Sequence, residues 1–132
     1  DSFESILQVA EIPTALRALA NQYWPGPLTL ALPHKGSMPR ELEAVDGTIG
    51  MRISPRPEAQ SLARLCGGLI TATSANLRFG SPVTCTAELD PSLCAEVSLV
   101  IEADPLAGGL PSTVVGLRNG KPCVLRPGAI AL

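Results

Sequence analysis

The sequence predicts an α/β domain in which helices flank a twisted, mixed β-sheet. Apolar residues recur both at helical spacing and in short runs typical of strands. Thirteen prolines and twelve glycines divide the chain into short elements. A hydrophobic fraction of 45% with 17% charged residues is typical of a chain that folds around a core. At 132 residues, we expect a single domain over residues 1–132.

The first half of the chain contains two predicted helices followed by two predicted strands. Residues 4–9 and 13–23 form the helices, because Ile12, Leu16, Leu19 and Tyr23 recur at helical spacing. The run Trp24–Pro27 ends the second helix, since two prolines around a glycine cannot continue it. Strands follow at 28–32 and 48–54, joined by a loop over 33–47. Alternation in the second strand places Arg52 on its polar face.

The second half predicts a further helix, a buried strand and a terminal hairpin. A helix covers 57–65 with Leu62 and Leu65 inward, and Gly67–Gly68 ends it. We expect a buried strand at 69–73 and a further strand at 97–101, with a short helix between them that Thr86 caps and that runs through Leu93. Strands at 113–117 and 122–126 surround Asn119–Gly120, which is a strong hairpin signal.

Charge and cysteine content narrow the possible classes of protein. The formal charge of −2 and the isoelectric point near 5.3 argue against a general nucleic-acid-binding surface, which would be basic. The four cysteines form no Cys-x-x-Cys pair, so we expect no zinc site. Reduced thiols are favoured, although two disulfides are possible. No apolar run approaches 18 residues, so we expect a cytoplasmic protein without a membrane span.

Two pairs of polar residues stand where a ligand could bind. Ser74 and Asn76 follow the predicted strand 69–73, and ligands bind at such strand ends in open α/β sheets. Ser112 and Thr113 follow Gly108–Gly109, and a glycine-rich approach lets backbone amides come close to an anion. By spacing alone, ordinary turns explain both pairs equally well or better.

Several single charged and aromatic residues can likewise be interpreted either as functional groups or as ordinary structural residues. The guanidinium of Arg52 suits a carboxylate and that of Arg126 suits a phosphate, but either could be a surface charge. We interpret His34, the only histidine, as a loop surface residue without a catalytic partner. Tyr23 and Trp24 are typical of a packing corner. The acidic residues of the loop at 41–46 are interpreted as solvated, so no metal site is predicted.

Four motifs in order give the chain a family resemblance. They are Tyr23–Thr29, Thr73–Asn76, Pro111–Val115 and Leu125–Gly128. Together they resemble the YrdC family, the threonylcarbamoyl-AMP synthases, over roughly residues 20–130. The resemblance implies a YrdC-like fold, also called DHBP synthase-like.

The resemblance also implies roles for the residues that match these motifs. The predicted catalytic residues are Arg52, Ser74 and Asn76, with Arg52 binding the carboxylate of threonine or the carbamate. The predicted nucleotide-binding residues are Ser74, Asn76, Ser112, Thr113 and Arg126. The implied substrates are ATP with Mg²⁺, L-threonine and bicarbonate, and the implied purpose is the N6-threonylcarbamoyl modification of tRNA. The chain departs from the family at Leu77–Gly80 and at Gly116.

Two family motifs are missing from the sequence. These are a Pro-Thr-x-Thr-x-Tyr-Gly loop and a Lys-x-Arg pair that binds the triphosphate; lysine occurs only at Lys35 and Lys121. We therefore expect the C-terminal two-thirds of a family domain, incomplete at the N-terminus, inactive alone and prone to self-association through an uncovered face. The alternatives are a non-catalytic nucleotide- or RNA-binding module and a carbamoyl-transferring domain of hydrogenase-maturation type.

Overall fold

A computed structural model describes residues 1–77, 80, 83–102 and 110–132 of the chain. It contains four α-helices, four β-strands and two short 3₁₀ turns within those residues. The helices are α1 (Phe3–Val9), α2 (Thr14–Tyr23), α3 (Pro57–Leu65) and α4 (Pro91–Glu96). The strands are β1 (Leu28–Pro33), β2 (Thr48–Met51), β3 (Thr113–Arg118) and β4 (Lys121–Arg126), and the 3₁₀ turns are Arg40–Leu42 and Thr86–Glu88.

The chain divides into two compact units. Unit 1 comprises Asp1–Ile70 and Leu110–Leu132, and unit 2 comprises Thr71–Gly109. Unit 1 contains all four strands, in the spatial order β2-β1-β3-β4. The strand β1 is antiparallel to β2 and parallel to β3, and β3 is antiparallel to β4. The predicted mixed α/β sheet is therefore confirmed.

One face of the sheet forms the core of unit 1. Its members alternate along the strands: Leu28, Leu30 and Leu32 of β1 are completely buried. The first two helices cover this face with apolar side chains that recur at helical spacing. The covering side chains are Ile6 of α1 and Leu16 and Ala20 of α2, together with Ile12 of the segment between the two helices.

The turn after α2 is a packing corner, as the sequence predicts. Trp24 is buried, its ring meets that of Phe3 edge to face at 5.4 Å, and its Nε1 donates a hydrogen bond to the carbonyl of Leu28 at 2.8 Å. The peptide bond between Trp24 and Pro25 is cis. The indole thus fixes the point at which the chain leaves α2 and enters β1.

The hairpin between β3 and β4 is also confirmed. Asn119 and Gly120 both have positive φ, at 52° and 74°, as a tight two-residue turn requires. A register shift at Val114/Val115 marks a bulge in the ladder between the two strands.

Two predicted strands do not form. Residues 69–73 and 97–101 have no strand conformation, and Ile70, which was expected to be buried, is exposed, as is Leu99. Both segments have the apolar, β-branched composition of strands. A strand also needs a neighbouring backbone, and neither segment pairs with any other in the described part of the chain.

Two helix predictions also need correction. Thr86 begins a 3₁₀ turn, and α4 starts after Asp90, whose carboxylate accepts hydrogen bonds from the backbone and hydroxyl of Ser92. In α3, Ala63 is the buried residue, whereas Leu62 and Leu65 are exposed. A small side chain therefore makes the contact that the sequence assigns to two leucines.

The environment of His34 differs from the loop surface that the sequence predicts. An isolated antiparallel β-bridge just after β1 pairs this residue with Ala10, and its side chain is only 13% exposed. The Nδ1 atom accepts a hydrogen bond from the Gly36 amide at 3.0 Å. Its Nε2 atom lies 3.1 Å from a carboxylate oxygen of Glu43. His34 thus anchors the loop that precedes β2.

Within the described residues, no helix is both long and apolar enough to span a membrane. All four cysteines are free thiols.

Candidate functional site in unit 1

The face of the sheet opposite the core is built from small residues. Along β1 it contains Thr29 and Ala31, and neighbouring strands contribute Gly50 and Gly116. A Cβ at Gly50 would lie 3.3 Å from the Thr29 methyl, and one at Gly116 would lie 2.8 Å from a methyl of Leu125. The two glycines therefore permit side chains of adjacent strands to lie directly on the backbone.

Three polar side chains meet at one end of the parallel pair β1 and β3. The hydroxyls of Thr29 and Ser112 are 2.7 Å apart. The Nη2 atom of Arg126 donates to the carbonyl of Ser112 at 2.9 Å and approaches its hydroxyl at 3.3 Å. We refer to Thr29, Ser112 and Arg126 as the Ser112 cluster.

The strand register explains why these residues meet. Thr29 is paired with Val114, and Ser112, two residues before Val114, lies on the same face and diagonal to Thr29 near the start of β1. Arg126 is the last residue of β4, at the same end of the antiparallel pair with β3. Ser112 and Thr29 are half-buried, and Arg126 is exposed. The cluster thus presents hydroxyl and guanidinium groups at the border of protein and solvent.

The segment after β4 holds the backbone of this cluster in place. The Ala129 amide donates to the carbonyl of Pro111 at 2.9 Å. Gly128 lies so close that a Cβ there would be 2.6 Å from the backbone nitrogen of Thr113. Only glycine fits at this position, so the Pro127–Gly128 pair helps to set the position of Ser112.

The side chain of Thr113 has a structural role, and its predicted role in nucleotide binding stays a prediction. It is completely buried on the core face. Its hydroxyl donates to the Ile130 carbonyl at 2.8 Å and accepts from the Ile130 amide at 2.9 Å. Strand alternation turns the Thr113 side chain away from that of Ser112, and its hydroxyl is engaged with Ile130.

Arg52 lies immediately after β2, also in unit 1. Its Nε donates to the Gly26 carbonyl at 2.8 Å, and the Gly26 amide donates to Ile53 at 2.9 Å. Partial burial lowers the pKa of the Arg52 guanidinium, which nevertheless keeps its charge at neutral pH. The Nε contact orients the guanidinium, and its terminal nitrogens have no hydrogen bond to any described residue. They are the two atoms with which arginine binds a carboxylate.

Ser74 and Asn76 belong to unit 2. The Ser74 residue is exposed, and its hydroxyl has no hydrogen bond among the described residues. The amide nitrogen of Asn76 donates to the carbonyls of Leu77 and Gly80, so it stabilises its own loop. A ligand-binding role for Ser74 and Asn76, in a site shared with Ser112, stays a prediction. Arg78 and Phe79 in the following loop, and Gly108–Gly109, lie outside the described residues.

The sequence prediction found Ser112 and Arg126 but missed Thr29. The structure brings the first two into hydrogen-bonding contact, with Arg126 engaging Ser112 itself. A signal for Thr29 was present, since this residue ends the Tyr23–Thr29 motif. Its partner could not be seen without the register of β1 and β3.

The structure thus defines an α/β domain in which hydroxyl and guanidinium groups are clustered at one end of the sheet. The Sua5/YciO/YrdC family model, described as telomere recombination, matches residues 1–128. The chain belongs to this family.

Individual relatives agree with this assignment. The chain is 33% identical to the threonylcarbamoyl-AMP synthase of Pyrococcus abyssi over 132 residues, which cover 99% of this chain and 39% of that protein. It is 35% identical to the Bacillus subtilis threonylcarbamoyl-AMP synthase over 121 residues, covering 89% of this chain and 34% of the relative. The chain thus spans about two-fifths or less of these two proteins.

Solved structures give the same result. The crystal structure of P. abyssi Sua5 complexed with L-threonine matches with a TM-score of 0.87 at 33% identity, covering 96% of this chain and 38% of that one. Escherichia coli YciO matches with a TM-score of 0.82 at 29% identity, covering 96% and 62%. The YrdC-like fold expected from the sequence is confirmed.

Proposed function

We propose that this chain provides part of the substrate site of an L-threonylcarbamoyladenylate synthase, a nucleotidyltransferase. The Ser112 cluster carries the proposal, since it groups hydroxyl and guanidinium donors at one end of a sheet of this family. A solved relative with the same fold is described as complexed with L-threonine.

The proposed reaction joins three anionic or zwitterionic substrates. The amino group of L-threonine and bicarbonate form a carbamate with loss of water. A carbamate oxygen then forms a bond to the α-phosphorus of ATP, and the bond to pyrophosphate breaks. The products are threonylcarbamoyl-AMP, pyrophosphate and water. Such a reaction depends mainly on positioning the substrates and on stabilising the charge that develops on phosphate oxygens.

The described side chains suit separate parts of these substrates. Arg52 would bind the carboxylate of threonine or of the carbamate through its two terminal nitrogens. Ser112 and Arg126 would bind phosphate oxygens. Ser74 and Asn76 would contact the nucleotide and complete the catalytic set with Arg52.

Mg²⁺ would accompany ATP as part of that substrate. The groups of the Ser112 cluster are hydrogen-bond donors, which suit phosphate oxygens better than a cation. The phosphates and water would therefore hold most of the coordination sphere of the ion.

We further propose that this chain alone binds ATP weakly and has no measurable turnover. The sequence has no Lys-x-Arg pair to bind the triphosphate. Lys35 donates to the Leu7 carbonyl at 2.6 Å, and Lys121 lies at the start of β4. Each lost charged contact would cost roughly 2–4 kcal/mol in the transition state, so two would slow the reaction by about three to six orders of magnitude. The same observation favours the alternative, a non-catalytic module that binds nucleotide or RNA.

Partners beyond the small substrates form part of the proposal. A synthase of this type serves the N6-threonylcarbamoyl modification of tRNA, which would place it in the cytoplasm with tRNA as a possible partner. Self-association is expected because large apolar side chains are exposed; Leu65, Leu99 and Leu110 are 86%, 73% and 70% accessible.

Titration of the 132-residue chain with ATP and with L-threonine tests the proposal, alongside a pyrophosphate-release assay. We expect weak binding of both ligands, no threonine- and bicarbonate-dependent pyrophosphate, and loss of L-threonine binding in Arg52→Lys. Lysine keeps the charge but not the two-nitrogen geometry. The variant Arg118→Lys, at the tip of the hairpin, is the matched control.

Three results would contradict the proposal. They are turnover comparable to that of a full-length relative, absence of any binding to either ligand, and equal L-threonine affinity in Arg52→Lys and the control.

A further inference from the structure

Thr29 is the member of the Ser112 cluster to which the proposed function assigns no contact with substrate. We infer that Thr29 is a positioning residue, which fixes the rotamer of Ser112 and thereby sets the affinity of the site for its ligand. The inference rests on the proposed function for its effect on affinity. Its first part, the control of Ser112, can be observed without any ligand.

Hydrogen bonding around Ser112 makes the hydroxyl of Thr29 important. The Arg126 guanidinium can only donate, so at 3.3 Å it occupies an acceptor position of the Ser112 hydroxyl. The Thr29 hydroxyl, at 2.7 Å, is the much shorter contact. Two hydroxyls contain two protons, and their mutual bond uses one of them. When the Thr29 hydroxyl donates to Ser112, the proton of the Ser112 hydroxyl stays available to an anionic ligand.

The methyl group of Thr29 explains why threonine suits this position. It lies against the backbone of Gly50, where a Cβ would approach it to 3.3 Å. A β-branched side chain has few χ1 rotamers, and the methyl contact fits the one in which the hydroxyl faces Ser112. Gly50 thus leaves space for the Thr29 methyl, the methyl contact restricts the χ1 rotamer of Thr29, and the Thr29 hydroxyl in turn restricts the rotamer of Ser112.

Substitutions at both ends of this arrangement separate its parts. Thr29→Val keeps the shape and removes the hydroxyl, and Thr29→Ser keeps the hydroxyl and removes the methyl. Gly50→Ala displaces the methyl by a few tenths of an ångström and removes no hydroxyl. Thr14→Val, at the exposed start of α2, is the matched control for a threonine-to-valine change.

The first measurement is the χ1 rotamer of Ser112, obtained from its Hα–Hβ couplings by NMR without ligand. We expect one rotamer in the wild type and in Thr14→Val, averaging between rotamers in Thr29→Val, and recovery in Thr29→Ser. Gly50→Ala should give an intermediate value. Unchanged couplings in Thr29→Val would overturn the inference.

The second measurement is titration with ATP and L-threonine. We expect Thr29→Val to weaken binding of the ligand that contacts Ser112 by about three- to tenfold, the ratio associated with one lost hydrogen bond. Thr29→Ser should recover most of that affinity. If Thr29 had a purely structural role, Thr29→Val would be less stable than the wild type, but the Ser112 couplings and the ligand affinity would not change. That result would refute the inference about Thr29 without contradicting the proposed function. If the wild type binds neither ligand, the proposed function fails, and the couplings still decide whether Thr29 positions Ser112.

Discussion

Replacing Thr113 by valine tests whether this residue acts in the fold or at the ligand. The substitution conserves shape and removes the hydroxyl that both donates to and accepts from Ile130. The amide and carbonyl of Ile130 would each lose a partner, at about 1–3 kcal/mol for a buried group. The added methyl would return about 1 kcal/mol. Because Ile130 is only half-buried, we expect a net loss of about 2–3 kcal/mol in the free energy of unfolding.

Urea denaturation measures this loss directly. Trp24 is the only tryptophan and lies buried in the core, so its fluorescence reports the unfolding of unit 1. Thermal unfolding should show a Tm lower by about 6–15 °C, from the usual scaling for a chain of this size. Thr113→Ser is the control: it keeps both hydrogen bonds and should lose only about 1 kcal/mol with the methyl group.

One pattern of results would refute the reasoning. If Thr113→Val is at least as stable as Thr113→Ser, the two bonds to Ile130 contribute no net stability. If ATP affinity then falls in Thr113→Val without a loss of stability, the ligand-binding role predicted from the sequence would be correct after all.

Two further predictions concern a backbone contact and a helix cap. Gly128→Ala should destabilise the fold by about 1–3 kcal/mol, because its Cβ would meet the Pro111 carbonyl and the Thr113 nitrogen; unchanged urea unfolding would contradict this. Hydrogen bonds from Ser92 lower the pKa of Asp90 below its ordinary value of 3.8, so its capping of α4 should be complete above that pH and disappear as the pH falls through the lower folded pKa. Amide protection of α4 should therefore fall with acid in the wild type but not in Asp90→Asn, and identical curves would count against a charged cap.

Local signals in the sequence were sufficient for most of unit 1. The helix α2 follows from apolar spacing, and the hairpin follows from Asn119–Gly120, whose positive φ values a two-residue turn requires. In both cases the determining interactions lie within a few residues. The strand predictions for 69–73 and 97–101 were wrong because a strand forms only beside a partner strand, and the composition of a segment does not reveal whether it has one.

The candidate site was predictable in residue type but not in its contacts. Ser112 and Arg126 could be selected as anion-binding groups, yet their mutual hydrogen bond depends on the ladder between β3 and β4. The contact of Thr29 with Ser112 depends on the parallel pairing of strands that are distant in sequence. The burial of Thr113 could not be seen in its motif, since strand alternation places adjacent residues on opposite faces and only the Ser112 side chain lies with Thr29 and Arg126.

The parallel pairing of β1 with β3 gives unit 1 an unusual connectivity. The unit consists of two separate stretches of chain, with the whole of unit 2 between them in the sequence. The two stretches are held together by non-covalent contacts. These are the β1–β3 ladder, which pairs Leu28 with Thr113, and the shared core, in which Val115 packs with the leucines of β1. A backbone cut anywhere within residues 71–109 would therefore leave these contacts intact. In this respect unit 1 has the organisation of a two-fragment complex, in which the first fragment supplies Thr29 and the second supplies Ser112 and Arg126 to one cluster.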